Sequence, residues 1–217
     1  MAQYSMTSSW SLVITAGCMA VFLAVNLHNV LCYHGRPTKE AIEPEAPVPQ
    51  GLTMGLVALG TGAFFLVSLL YLLLGVFSRE LTELRILDLP FIESDAFELA
   101  GALILALGYA IFVWSVIARG PYATSWTMPQ EQQLVDWGPY RYVRHPSYLA
   151  YFLMFIGFML MWPNILALVP LVAIPGYHRA TIREEEMLVR RFGDRYLRYR
   201  QRTGRFFPSM RLHNSQA

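Results

Sequence analysis

Three long stretches without a single charged side chain, Trp10 to Tyr33, Gly51 to Phe77 and Leu99 to Ala118, constrain this chain more than any other feature. A bilayer core about 30 Å thick takes roughly 20 apolar residues in a helix, and each run can supply them. A soluble fold would have to bury all three at once. With 55% hydrophobic and 15% charged residues, a chain of 217 residues has too little polar surface to do so. The expected fold is therefore an all-α integral membrane protein. Two shorter runs, Tyr148 to Trp162 and Ile165 to Tyr177, flank Pro163 and Asn164, which break one helix and cap the next. They read as a short helical hairpin. Its arms reach only about 20 to 23 Å, which implies tilting or partial re-entry. About five transmembrane helices result.

Charge placement orients them. Ten of the 17 basic residues are arginines between Arg179 and Arg211, whereas Ser78 to Glu98 holds six acids against Arg79 and Arg85. The positive-inside rule then puts the C-terminus in the cytoplasm and, counting back through five segments, the N-terminus outside. Arg119 to Pro146 and the basic-containing loop His34 to Gln50 fall inside, and Ser78 to Glu98 outside. The first run lacks a basic leader and is long enough to span, so it reads as a retained helix.

Residues 1–118 thus form three transmembrane helices with their loops. Residues 119–217 add a loop, the hairpin and a polar C-terminal helix to the same membrane domain. His34 to Gln50, with Pro37, Pro44, Pro47 and Pro49, is an extended connector. Gly51, Gly55, Gly60 and Gly62, and Ala102, Ala106 and Ala110, are spaced for close helix packing. Asn26, His28 and Asn29 are expected to hydrogen-bond between helices or to line a polar pocket. Cys18 and Cys32 are expected as buried free thiols, nearly on one face. From about His178 to Gln201 runs an arginine-rich amphipathic helix. Its stripe of Leu188, Phe192, Tyr196 and Tyr199 opposes Arg190, Arg191, Arg195, Arg198 and Arg202, so it lies on the membrane surface or folds back on the bundle.

Two polar clusters bracket the hairpin. The first is Gly138-Pro139-Tyr140-Arg141-Tyr142-Val143-Arg144-His145-Pro146-Ser147-Tyr148, where Pro146 suits a first helical position and the open amides after it favour an anion. The second is Arg183-Glu184-Glu185-Glu186, whose carboxylates favour a cation. A hairpin brings both to one membrane face, which suits a zwitterionic amino acid moiety. Either cluster alone also reads as an interfacial anchor or a dipole complement. No HExxH or comparable spacing joins His145, His178 and the glutamates, so no metal site is expected.

The run Arg144-His145-Pro146-Ser147-Tyr148, an apolar stretch, then Glu184-Glu185 followed by Leu188, Phe192-Gly193 and Tyr196, resembles the isoprenylcysteine carboxyl methyltransferases and their phospholipid methyltransferase relatives. The resemblance covers about Gln130 to Pro208. It implies S-adenosylmethionine as cofactor, held between the loop before the hairpin and the helix after it. By that resemblance Gln132, Gln133, Leu134 and Val135 form a cofactor wall, Tyr140 packs on the ligand, and His145, Pro146, Ser147 and Tyr148 line it. Glu184, with Glu185 beside it, meets the ammonium group. Arg144, His145, Arg179, Arg183 and Glu184 are the candidate catalytic residues. Members of the family also place an arginine four residues before the acid pair. Here that position is Ala180, leaving Arg179 or Arg183 as substitutes.

An activated sulfonium methyl needs chiefly alignment for in-line attack. A carboxylate acceptor needs no base, whereas an amine or thiol would give its proton to His145 or a glutamate. The expected partners are a lipophilic acceptor and the bilayer, with no nucleic acid. A nicotinamide-dependent sterol-type reductase and a non-enzymatic membrane scaffold or transporter component are the alternatives, although no glycine-rich phosphate loop is present.

Overall fold

In the computed structural model, which describes residues 9–34, 51–77, 89, 94–122 and 133–209, the named elements are all helical. Helix α1 (Ser9–Asn29) continues into a π-helical turn at Val30–His34, and α2 (Leu52–Phe77) and α3 (Asp95–Arg119) follow. The chain then forms α4 (Pro146–Met161), α5 (Ile165–Leu168), a 3-10 turn at Val169–Val172, α6 (Ala173–Phe192) and α7 (Asp194–Arg202). Among the described residues, four stretches are long and apolar enough to cross a membrane: Ser9–Cys32, Leu52–Phe77, Asp95–Tyr122 and Ile165–Phe192. Helix α4 is apolar but shorter. Leu23, Leu66, Leu103 and Ile117 point outward and are exposed, as side chains facing lipid should be. The proline-rich connector and most of Ser78 to Glu98 lie outside the described residues.

Local chemistry sets the helix ends. Ser94 caps α3 by accepting a hydrogen bond from the Phe97 amide, and the Asn164 side chain accepts from the Leu166 amide at 2.9 Å. The cap expected at Asn164 is thus present. The polar helix expected from His178 is not a separate element. Nothing between Tyr177 and Arg179 breaks the backbone, so the apolar run from Ile165 carries on through α6 to Phe192. The break comes at Gly193, whose φ of 51° suits a residue without Cβ. The stripe survives it: Tyr196 and Tyr199 are buried with Leu134, and Leu188 and Phe192 pack against them. This end of the chain therefore folds back on the bundle.

One apolar core joins α1 to α6, running through Phe22, Phe64, Tyr71, Leu105, Phe155 and Tyr177. Buried hydroxyls bridge helices within it, Ser11 with Tyr71 and Thr61 with Tyr177, each at 2.8 Å. The closest packing is between α3 and α4, and glycine makes it. A Cβ on Gly101 would lie 2.6 Å from the Gly157 carbonyl oxygen, and one on Gly157 would lie 2.7 Å from the Gly101 oxygen. Of the alanines expected on this face, Ala102 is buried but Ala110 is exposed. Of the α2 glycines, Gly60 meets Ala173, whereas a Cβ on Gly51, Gly55 or Gly62 would meet nothing within 4 Å.

Asn26 donates to the Phe22 carbonyl at 2.7 Å, so it is satisfied by its own helix. Cys18 is partly buried, but Cys32 is exposed, 3.6 Å from Nδ1 of His28. The wider π-helical turn shifts the phase of the helix face just where Cys32 sits.

Candidate functional site

Arg144 and His145 precede α4, and Pro146 occupies its first turn. Arg144 and His145 meet Glu184 and Glu185 on α6. The His145 ring lies between the two carboxylates, Nδ1 3.5 Å from Glu184 and Nε2 3.3 Å from Glu185. Glu185 also accepts from Arg144 Nε at 3.1 Å and from Arg205 at 3.0 Å (Nε) and 3.3 Å (Nη2). Its side chain is only 5% exposed. Glu184 differs: it accepts from the Tyr148 hydroxyl, faces His145 and keeps 26% of its side chain exposed. Glu186 is exposed.

A strap formed by the segment after α7 completes this knot. The Arg144 amide donates to the Gly204 carbonyl at 2.8 Å and the His145 amide to the Arg205 carbonyl at 3.1 Å. Arg144 also donates to the carbonyls of Arg200 and Thr203. Phe206 then packs on His145, Phe152 and His178. On the other side Tyr148 stacks parallel to His145, and Tyr148 and Tyr151 both lie against Tyr177.

The loop before α4 is held to α3. Gly138 enters a 3-10 turn with φ 59°, where a Cβ would lie 2.9 Å from that of Ala118. Trp137 donates to the Ala118 carbonyl at 2.9 Å, and Ser147 is 2.8 Å from Ser115 and 3.4 Å from the Tyr140 hydroxyl. Tyr199 donates to the Tyr140 carbonyl at 2.7 Å.

Of the residues singled out from sequence, Arg144, His145, Tyr148, Glu184 and Glu185 thus converge, and Tyr140, Pro146 and Ser147 adjoin them. Leu134 is buried against Tyr196 and Tyr199, Val135 is partly buried and Gln133 is exposed. Gln132 lies outside the described residues. Arg179 and Arg183 are exposed on α6, and no hydrogen bond or ion pair among the described residues joins either to the cluster. Ala180 is fully buried, leaving no room there for an arginine. Arg205 is the member that sequence reasoning missed, since one arginine among many carries no local mark of its partner. No group of three or more His, Cys, Asp or Glu side chains suited to a metal ion occurs among the described residues.

Part of the chain is similar in sequence to known proteins. Residues 97–195 match the phospholipid methyltransferase family. That span holds nearly all of α3 and the whole of α4, α5 and α6, and so both halves of the His145–glutamate cluster. The chain is similar to a nickel-cobalt-cadmium resistance protein of Alcaligenes xylosoxydans xylosoxydans, 35% identical over 86 residues, 39% of this chain and 40% of that protein. It is also similar to a protein-S-isoprenylcysteine O-methyltransferase of Schizosaccharomyces pombe, 35% identical over 81 residues, 36% of this chain and 34% of that enzyme. The chain spans well under half the length of these curated relatives. The strap bearing Arg205 lies beyond the stretch matched to the family.

Burial alone would lower the pKa of His145, but the hydrogen bonds and charges of Glu184 and Glu185 outweigh it and raise it above its ordinary 6.5. With both nitrogens facing carboxylates, the charged form of the ring is favoured. Because the folded-state value is raised, the stabilisation is complete below about pH 6.5 and is lost as pH rises through the higher value. Melting temperatures between about pH 6 and about pH 9 should therefore fall on the alkaline side more for the parent than for His145→Gln. Parallel curves would remove the imidazolium from this account.

Proposed function

We propose that this chain is an integral membrane methyltransferase, transferring a methyl group from S-adenosylmethionine to a lipophilic acceptor. The observation that carries this reading is the difference between two adjacent carboxylates. Glu185 is saturated by Arg144, His145 and Arg205, whereas Glu184 is held in place by Tyr148 and His145 and remains partly open. An oriented, accessible carboxylate beside electron-rich rings fits a ligand with an ammonium and a sulfonium group. The residues present thus suit the cofactor. Glu184 would take its ammonium, the amides opening α4 its carboxylate, and Tyr148 with Tyr140 its remaining faces.

When bound, S-adenosylmethionine supplies a methyl group already activated on a positively charged sulfur. The protein's contribution is positioning. Tyr148 and His145 fix the Glu184 rotamer, Glu185 ties α4 to α6 and the strap, and Tyr148, Tyr151 and Tyr177 exclude water. Both nitrogens of His145 are turned to Glu184 and Glu185 and not toward an acceptor, which favours an acceptor that needs no base. The full topology belongs to this reading: five spans, the last two a hairpin, with the site and C-terminus in the cytoplasm, the N-terminus outside, and residues 1–118 and 119–217 in one membrane domain.

Glu184→Gln keeps size and hydrogen bonding but removes the charge. A charge-assisted hydrogen bond is worth roughly 1.5 to 3 kcal/mol, so affinity for S-adenosylhomocysteine should fall about tenfold or more. Glu186→Gln, on an exposed side chain, should bind like the parent. Calorimetric titration of the three proteins decides, and equal affinities would sink the role given to Glu184. NADPH, titrated separately, should give no binding. Binding of NADPH without S-adenosylhomocysteine would favour the reductase reading instead.

A further inference from the structure

The end of the first helix carries a histidine and a cysteine that the cluster above does not use. His28 and Cys32 are four residues apart in sequence, which puts them one turn apart on one face of the helix. Both side chains are exposed, and Nδ1 of His28 lies 3.6 Å from Sγ of Cys32. The other polar residues of this end are engaged or enclosed: Asn26 bonds its own helix, and Asn29 is buried. Cys32 is the last residue of the apolar stretch Ser9–Cys32, and His34-Gly35-Arg36 follow in the sequence, so the pair stands where water meets that stretch. The π-helical turn Val30–His34 begins between the two residues, and such local changes of winding are frequent at functional sites.

An imidazole nitrogen and a thiolate sulfur together select a borderline or soft metal ion over magnesium or calcium. The spacing fits one. Bonds of about 2.0 Å to nitrogen and about 2.3 Å to sulfur, at a tetrahedral angle, put the two donor atoms roughly 3.5 Å apart. We propose that His28 and Cys32 chelate a divalent ion of the zinc and cadmium type at the end of α1, with water in its remaining positions. Binding forms one metal–nitrogen and one metal–sulfur bond, displaces two waters from the ion and releases the thiol proton to solvent, with no change of oxidation state. A hydrogen bond from thiol to imidazole would survive exchange of sulfur for oxygen, whereas affinity for a soft ion would not. The pair lies outside residues 97–195 and is independent of the methyltransferase reading.

The test uses the full, untagged chain, purified in an uncharged detergent, reduced, freed of metal with a chelator and titrated with Cd²⁺. The parent should develop the ultraviolet charge-transfer absorbance of a cadmium–thiolate bond, saturating near one ion per chain. Zn²⁺ should displace the bound ion and Mg²⁺ should not. Losing an outer partner of a metal ligand already costs about 10- to 100-fold in affinity, so losing a ligand should cost at least about tenfold. Cys32→Ser, which can still bond His28, should lose both the band and that affinity. His28→Gln, which keeps the thiol, should lose about tenfold or more in affinity as well. Cys18→Ser should titrate like the parent. Because His28 and Cys32 are exposed, their variants should melt like the parent in the absence of metal, which separates lost binding from lost folding. No band in the parent, or a band retained in Cys32→Ser, overturns the proposal. So does an affinity unchanged in His28→Gln, which would reduce the site to a single thiol.

Discussion

Replacing Glu185 with glutamine should destabilise the protein by about 3 to 5 kcal/mol, the cost typical of removing one partner from a buried ionic network. Its carboxylate accepts from Arg144 at 3.1 Å, His145 at 3.3 Å and Arg205 at 3.0 Å. The Arg144 and His145 side chains are nearly as buried as Glu185 itself, so water cannot take its place. Glutamine removes the balancing charge and turns one acceptor oxygen into a donor facing donors. The damage should extend to the strap, because Arg205 is held to α6 through this carboxylate. Denaturation in detergent, with protease sensitivity after Thr203 as a second readout, tests this. Glu186→Gln, at an exposed neighbour, should stay within about 0.5 kcal/mol of the parent. A loss below about 1 kcal/mol for Glu185→Gln would mean that the knot contributes little to folding.

Alanine at Gly157 should be nearly as damaging, and alanine at Gly55 should go the other way. The Gly157 Cβ would meet backbone atoms of α3, 2.7 Å from the Gly101 oxygen and 2.9 Å from Leu105 Cα. Backbone cannot swing aside as a side chain can, so α3 and α4 must separate along a buried face. A cost of about 3 kcal/mol, at the upper part of the overpacking range, is expected. On α2, a Cβ at Gly55 meets nothing within 4 Å, and removing backbone freedom there should be neutral or stabilise by up to about 1 kcal/mol. Opposite signs for the same chemical change would separate contact geometry from the glycine pattern as the cause. Similar losses at both positions would show that the pattern itself matters.

That contrast marks how far sequence reading reaches. The spacing of Gly51 and Gly55 looked like a packing motif, yet the membrane-helix glycines packed tightly on neighbouring backbone are Gly60, Gly101, Gly108 and Gly157, of which the sequence pattern marked Gly60 alone. Small residues show where close approach is allowed. Whether a neighbour arrives depends on how each helix is rotated, and Ala110 happens to face outward.

The site divides the same way. Arg144, His145, Pro146, Tyr148 and the acid run were legible because a helix start and a charged cluster at the edge of an apolar run are local features. The roles within the acid run were not. Glu184 and Glu185 are adjacent and chemically identical, and their difference comes from partners 36 and 41 residues away in Tyr148 and Arg144, with Arg205 arriving from the opposite direction.

The sequence by itself determined that the chain is helical and apolar enough for a bilayer, that a helix opens at Pro146 and another at Asn164, and that a basic and an acidic cluster flank the stretch between. These follow from interactions within a turn or two of each residue, where chain order and spatial order coincide. Only the tertiary structure decided that the polar C-terminal helix continues α6 as far as Gly193, and that Glu185 is saturated while Glu184 stays open. Those outcomes depend on which surfaces meet after the helices pack, and burial and pairing exist only once they have met.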